Sequence, residues 1–218
     1  MQESLTQVIH DPLRDPRLVR AARRVLDRKT AQPEPVRASL PADPVWQPAP
    51  RRTPVNLDIA YKDHDGRDGV LSFLVDKPVL MTFFYSRCQN AKKCSMAVSL
   101  MAALQRQLAQ AGIADRVRLL AVSYEPQFDT PERINRFATG RGLRLGPNAL
   151  ALQLDSAREQ QLTDELQSPV NFSAGWVNTH GVELTLLDAR GRVVRQYETV
   201  LWDNDQVLKD VTRLLGER

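Results

Sequence analysis

The sequence has few cysteines, no long hydrophobic run and no strong excess of one charge. Its 218 residues include only two cysteines, too few for a disulfide framework in a chain of this size. The longest apolar run, residues 79–85, has the length of a strand, so we predict no transmembrane helix. The net charge of +4 is spread along the chain, and Lys and Arg do not cluster with aromatic residues. This pattern argues against nucleic-acid binding.

The N-terminus lacks the features of an export signal. Residues 1–11 contain no basic patch followed by an apolar stretch. The sequence as given fits a cytoplasmic protein, and it also fits the mature form of an exported one. The compartment therefore stays open.

The first 52 residues are predicted to form an arm that precedes one folded domain, residues 53–218. Residues 5–29 have the apolar spacing of an amphipathic helix with a firm start near Pro16, because proline is tolerated only in the first turn. Residues 33–54 hold seven of the 14 prolines, which is typical of an extended linker.

The order of elements after residue 53 predicts an α/β fold. A continuous apolar run predicts a strand buried on both faces, and alternating strands and helices favour a mainly parallel sheet. A closing hairpin adds an antiparallel edge, which gives a central mixed sheet with helices on both faces. The predicted strands are 56–60, 71–74, 79–85, 117–122, 150–154, 182–187 and 193–197, and the predicted helices are 96–112, one opening at Thr130 and Pro131, 157–166, and one starting near Asp203.

Both cysteines lie at the junction of a buried strand and a helix. Cys88 follows the strand 79–85, and Cys94 stands just before or within the first turn of the next helix. The helix N-terminus, with Lys92 and Lys93 beside it, favours a thiolate over a thiol. A thiolate is both a nucleophile and a ligand for soft metals, so the pair suits metal binding and thiol–disulfide exchange.

Three junctions of the sequence resemble the SCO/SenC family of thioredoxin-like copper proteins. The family run Phe-x-Tyr-Thr-x-Cys-Pro-x-x-Cys-Pro is similar to the segment with Phe83, Tyr85, Ser86, Cys88 and Cys94. The segment 122–132, which ends Asp129-Thr130-Pro131-Glu132, resembles the family's strand-to-helix junction, and residues 179–191 resemble its distal histidine and hairpin. The resemblance covers roughly residues 55–215 and implies a thioredoxin-like fold.

The resemblance also implies a site and a function. It implies copper, as Cu(I) or Cu(II), bound by Cys88, Cys94 and His180, and delivery to a cuproprotein such as a cytochrome oxidase or to its cysteine pair. His180 is expected in a polar loop, and His10 and His64 are expected on the surface. The chain departs from the family in the site itself: five residues separate the cysteines instead of three, Gln89 and Ser95 replace prolines, and Thr179 replaces an aspartate.

Two other functions remain open. Cys88 and Cys94 can act as the catalytic pair of a thiol–disulfide oxidoreductase without bound metal, or the domain can serve as a non-catalytic interaction module. The chain lacks the Cys-x-x-Cys and the late proline of an ordinary thioredoxin, and it has no nucleophile elbow of a hydrolase. A classical zinc site needs four protein ligands, and only three candidates are present.

Overall fold

The computed structural model describes residues 46–88, 91–166, 170–173, 176–180, 184–198 and 201–217, all within the compact unit 43–218. Only the backbone is described for residues 91–92, 170–173 and 176–180. The predicted arm helix at 5–29 lies outside the described residues.

The strands are β1 (Ala60–Asp63), β2 (Asp68–Val70), β3 (Val79–Phe84), β4 (Arg118–Ser123), β5 (Ala149–Gln153), β6 (Val170–Ser173), β7 (Trp176–His180), β8 (Leu184–Leu187) and β9 (Val193–Tyr197). The α-helices are α1 (Met96–Gln110), α2 (Pro131–Thr139), α3 (Ser156–Glu165) and α4 (Asn204–Gly216).

The described strands form a mixed sheet in the order β2-β1-β5-β4-β3-β8-β9, with β6 and β7 as a separate antiparallel pair. The pairs β3–β4 and β4–β5 are parallel, and the remaining neighbours are antiparallel. Every residue of β3 and β4 is buried. Because successive side chains of a strand point to opposite faces, both faces of the sheet centre are covered. The predicted α/β class and the mixed sheet are confirmed.

Helices α2 and α4 start where the sequence predicted them, at Thr130 and Pro131 and near Asp203. Asp203 caps α4 by accepting a hydrogen bond from the Asp205 amide at 2.9 Å. Thr130 is the N-cap residue of α2 and Pro131 its first residue, but the Thr130 hydroxyl donates to Glu132 Oε2 at 2.7 Å rather than accepting from a backbone amide. The position of the cap was therefore predictable, while its side-chain partner was not.

Three local predictions were wrong. Residues 71–74 form a 3₁₀ helix that buries Leu71 and Leu74, a spacing of three that suits a helical turn better than the alternation of a strand. The strand predicted at 56–60 begins at Ala60 and pairs with β2 across a tight turn. His64, expected on the surface, is only 8% exposed, because α2 packs against this turn and Asn135 donates to the His64 carbonyl at 3.2 Å.

The segment before β1 is attached to the domain by a buried arginine. Arg52 is 7% exposed, and its guanidinium contacts Asp188 at 3.3 Å and Glu217 at 2.6 Å. Its Nε donates to the Gln47 carbonyl at 3.0 Å, and its guanidinium carbon lies 5.6 Å from the Trp46 ring centroid. Residues from 46 onward therefore pack on the domain. No helix among the described residues is long and apolar enough to cross a membrane.

The turn between β8 and β9 requires glycine. Gly191 has φ +68°, and a Cβ added there would lie 2.6 Å from Leu57 Cδ1. We expect Gly191→Ala to lower the free energy of unfolding by more than the about 1–2 kcal/mol that left-handed backbone costs a non-glycine residue. Gly66→Ala is the matched control, because Gly66 has φ +80° with open space around it. Equal losses in urea unfolding of the two variants would show that the Leu57 contact is harmless.

Glu159 on α3 predicts a pH-dependent stability. It is 4% exposed, and burial, with a smaller effect from Asp164, raises its pKa from 4.5 to about 7. The folded protein thus holds this proton longer than the unfolded chain does, so stability should fall as pH rises from about 4.5 to 7. Glu159→Gln should flatten that decline in unfolding curves measured across this range. Glu165→Gln, at an exposed position on the same helix, should leave the decline of stability with pH unchanged. The same pH dependence of stability in wild type and Glu159→Gln would contradict the prediction.

Candidate thiol site

The two cysteines occupy the connection between β3 and α1. Cys88 follows the carboxyl end of β3 and is half-buried, while Cys94 lies two residues before the first residue of α1 and is 2% exposed. The two cysteines are not joined in a disulfide. Cys94 lies in the segment Ala91–Ser95, where the chain kinks at Lys93, whose φ −117° and ψ −109° are not helical.

Tyr85 connects the end of β3 to Cys88. Its ring is buried, and its hydroxyl is hydrogen-bonded to the Cys88 side chain. Burial raises the pKa of Tyr85 far above its ordinary value, and the bond to Cys88 and the charges of Cys88 and Cys94 raise it further. The Cys88 amide also donates to the Tyr85 carbonyl at 3.3 Å. Tyr85 therefore stays protonated and acts as a donor to the sulfur.

A buried carboxylate binds the start of the loop between β3 and α1. Asp129 is fully buried and accepts hydrogen bonds from the Ser86 amide at 3.1 Å, from the Ser86 hydroxyl and from the Ser123 hydroxyl at 2.5 Å. Ser86 follows β3 and Ser123 ends β4. Asp129 thus ties the ends of the two central strands together two residues before Cys88.

The residue before Cys88 forms an ion pair. Arg87 donates two hydrogen bonds to the Glu125 carboxylate, from Nε to Oε2 at 2.8 Å and from Nη2 to Oε1 at 2.6 Å. The Phe128 ring lies between Arg87 and Arg133, whose guanidinium carbons are 4.7 and 4.2 Å from its centroid. These contacts hold the loop before Cys88 against the junction of β4 and α2.

Sequence reasoning missed Arg141, which contacts the end of the cysteine loop at Ser95. It follows α2, and its Nη2 donates to Ser95 Oγ at 2.8 Å, next to Cys94. The charges of Cys94 and Cys88 act on its guanidinium, which places both sulfurs within electrostatic range. No local motif marks this arginine, because it comes from a turn distant in the chain.

His180 ends β7, where its backbone pairs with Val170. The expectation of a loop at this position was wrong: the segment before it pairs with β6, across a bulge at Asn171 and Phe172 that hides the alternation in the sequence. The side chain of His180 lies outside the described part of the structure. Among the described side chains, no three His, Cys, Asp or Glu come together as a metal-ligand group.

Comparison with known proteins decides the family. The SCO1/SenC family model matches residues 58–216. The chain belongs to the SCO1/SenC family. A SCO1/SenC family lipoprotein from Bacillus anthracis str. Ames is 24% identical, with a TM-score of 0.64 over 76% of this chain and 99% of that one. No curated protein matches the chain.

Two further solved structures share the fold. BsSco is 20% identical with a TM-score of 0.64, over 77% of this chain and 99% of its own. ScoI from Bradyrhizobium japonicum, solved with copper bound, is 18% identical with a TM-score of 0.59, over 74% of this chain and 99% of that one. The thioredoxin-like fold predicted from the sequence is confirmed.

We expect Asp129→Asn to lower the free energy of unfolding by about 1–3 kcal/mol, because the amide nitrogen would face donors that the carboxylate now satisfies. Ser123→Ala removes one donor and should cost less. Asp58→Asn is the control, because it removes the same charge at an exposed position. Denaturant unfolding measures all three, and a loss for Asp129→Asn no larger than for Asp58→Asn would refute a supporting role.

Proposed function

We propose that this Sco-family protein binds copper through Cys88, Cys94 and His180 and delivers it to, or maintains, a cuproprotein site such as that of a cytochrome oxidase. The observation that carries the proposal is the pair of reduced cysteines, Cys88 and Cys94, on one strand-to-helix connection in a SCO1/SenC domain. Two thiolates and an imidazole are soft to borderline donors, the set that suits Cu(I).

The surroundings of the sulfurs support this donor set. Cys94 is almost fully buried, and the buried Tyr85 gives Cys88 a hydrogen bond. Limited access of water around thiolates favours a soft cation over exchange with solvent, and fixed hydrogen bonds orient metal ligands.

The copper-bound ScoI of B. japonicum shows that a protein of this fold holds copper. BsSco is a member of the Sco family of cytochrome c oxidase assembly proteins, which supports a cuproprotein as the partner.

Thiol–disulfide exchange is a second candidate, favoured by the unequal exposure of the two sulfurs. The more exposed Cys88 would attack a partner disulfide as a thiolate, forming a mixed disulfide and releasing one partner thiolate. The buried Cys94 thiolate would then attack the Cys88 sulfur, which forms the Cys88–Cys94 disulfide and releases the second partner thiolate. The partner gains the two electrons that the pair loses. BsSco is known for a disulfide switch, which supports this alternative.

A Cu(I) titration separates these functions. The reduced protein is titrated without oxygen against a chromogenic Cu(I) chelator, as wild type, Cys88→Ser, Cys94→Ser and His180→Ala. We expect one Cu(I) per wild-type chain. Each variant should bind at least about a hundredfold more weakly, the upper end of what losing a residue that only orients a metal ligand costs. His10→Ala is the control, since the family pattern gives His10 no role.

The contrary results have distinct meanings. If wild type binds no copper but its cysteine pair equilibrates with glutathione at a defined potential, thiol–disulfide exchange replaces copper delivery. If His180→Ala binds like His10→Ala, the histidine is not a ligand. If the thiols neither bind Cu(I) nor form a disulfide, the domain is an interaction module.

A further inference from the structure

Arg141 is held in place by the turn that ends α2. Gly142 adopts φ +85°, and its amide donates to the Thr139 carbonyl at 2.9 Å. The Leu143 amide donates to the Ala138 carbonyl at 3.2 Å, and Leu143 is only 1% exposed. The chain therefore reverses direction immediately after Arg141, and the buried Leu143 fixes the reversal.

The guanidinium of Arg141 is fixed on three sides. It stacks on the Phe137 ring, with its central carbon 3.3 Å from the ring centroid. Nη1 donates to the Phe137 carbonyl at 2.9 Å, and Nη2 donates to Ser95 Oγ at 2.8 Å. A cation held this firmly loses little freedom when an anion lies beside it, so its charge acts fully at that position.

Arg141 lacks the anionic partner that a half-buried arginine normally has. Among the described residues, no carboxylate forms an ion pair with it, and its buried Nε has no hydrogen-bond acceptor. Burial lowers its pKa, while the charges of Cys94 and Cys88 raise it again. In the described part of the chain, the negative charges that act on Arg141 are thus those of the two sulfurs.

We propose that Arg141 is the counter-cation of the thiol pair: it offsets the negative charge that remains when Cys88 and Cys94 act as thiolates. For copper binding, this inference rests on the proposed function. Two thiolates, one Cu(I) and a neutral imidazole carry a net charge of −1, and the guanidinium balances it without touching the metal. Arg141 is therefore a positioning residue and not a ligand.

The same charge acts on the pair without copper. Reduction of the Cys88–Cys94 disulfide by two glutathione molecules yields two thiols or thiolates and one oxidised glutathione. A nearby cation stabilises the reduced pair wherever it carries negative charge, so removing that cation should shift the equilibrium toward the disulfide. A residue that served only to pack α2 would leave this equilibrium unchanged.

The test compares Arg141→Lys with Arg141→Gln. Both lose the stacked guanidinium, and only Lys keeps the charge. Arg144→Gln is the control, because Arg144 is an exposed arginine close by in the same loop and its replacement changes the net charge equally. Two quantities are measured for each protein: Cu(I) affinity by chelator competition, and the glutathione equilibrium constant of the cysteine pair.

We expect Arg141→Gln to bind Cu(I) about tenfold more weakly than Arg141→Lys, since one nearby charge shifts such equilibria by a factor of ten or more. Its glutathione equilibrium should move about tenfold toward the disulfide, or about 30 mV toward more negative potential. Arg144→Gln should match wild type in both. The inference is overturned if Arg141→Gln behaves like Arg144→Gln, or if Lys and Gln behave alike.

The two proposals fail separately. If wild type binds no Cu(I), copper delivery fails, and the glutathione equilibrium still decides the role of Arg141. If Arg141→Gln does not fold, Arg141→Met, which keeps an apolar side chain against Phe137, takes its place. If neither uncharged variant folds while Arg141→Lys does, the charge serves the fold itself, and the proposal is overturned.

Discussion

The carboxylate of Asp129 is wholly buried, and the hydrogen bonds that it accepts come from the ends of the two central strands. A buried charge is tolerated only where donors surround it, so the fold must bring Ser86 and Ser123 to this point. Asp129 also stands just before the N-terminus of α2, where the helix dipole favours a negative charge. Because Ser86 must reach Asp129, the point from which the chain continues to Cys88 is fixed. The start of the thiol loop is therefore positioned by the hydrogen bonds of Asp129.

Residues that flank helix α2 at its two ends form hydrogen bonds with the two ends of the thiol loop. At its N-terminal end Asp129 holds Ser86, and past its C-terminal end Arg141 holds Ser95. These two serines lie on opposite sides of the cysteine pair in the sequence. One short helix, nine residues long, therefore positions both sides of a loop to which it is not directly connected in the chain. The wider spacing of the cysteines is compatible with this support, because both anchoring serines lie outside the interval between Cys88 and Cys94.

The parts of the fold that the sequence predicted are those in which local and tertiary preferences agree. The apolar runs of β3 and β4 have the length and continuity that favour buried strands, and the helix starts at Thr130 and near Asp203 depend on neighbouring residues alone. The pair β6–β7 was missed because a bulge disturbs its alternation, and residues 71–74 were misassigned because a short apolar segment fits a strand or a helical turn equally. Cys88 and Cys94 were recognisable from their place between strand and helix. Arg141 was not, since only the turn after α2 brings it to them.

The anchoring of residue 52 has a mechanical consequence. Arg52 binds Asp188 at the start of the β8–β9 turn, and β8 pairs with β3 so that Leu187 lies opposite Val79, the first residue of β3. The cysteines follow the other end of β3, roughly 17 Å away at the usual rise of a strand. A force applied through the arm therefore enters the domain at the end of the sheet far from the thiols.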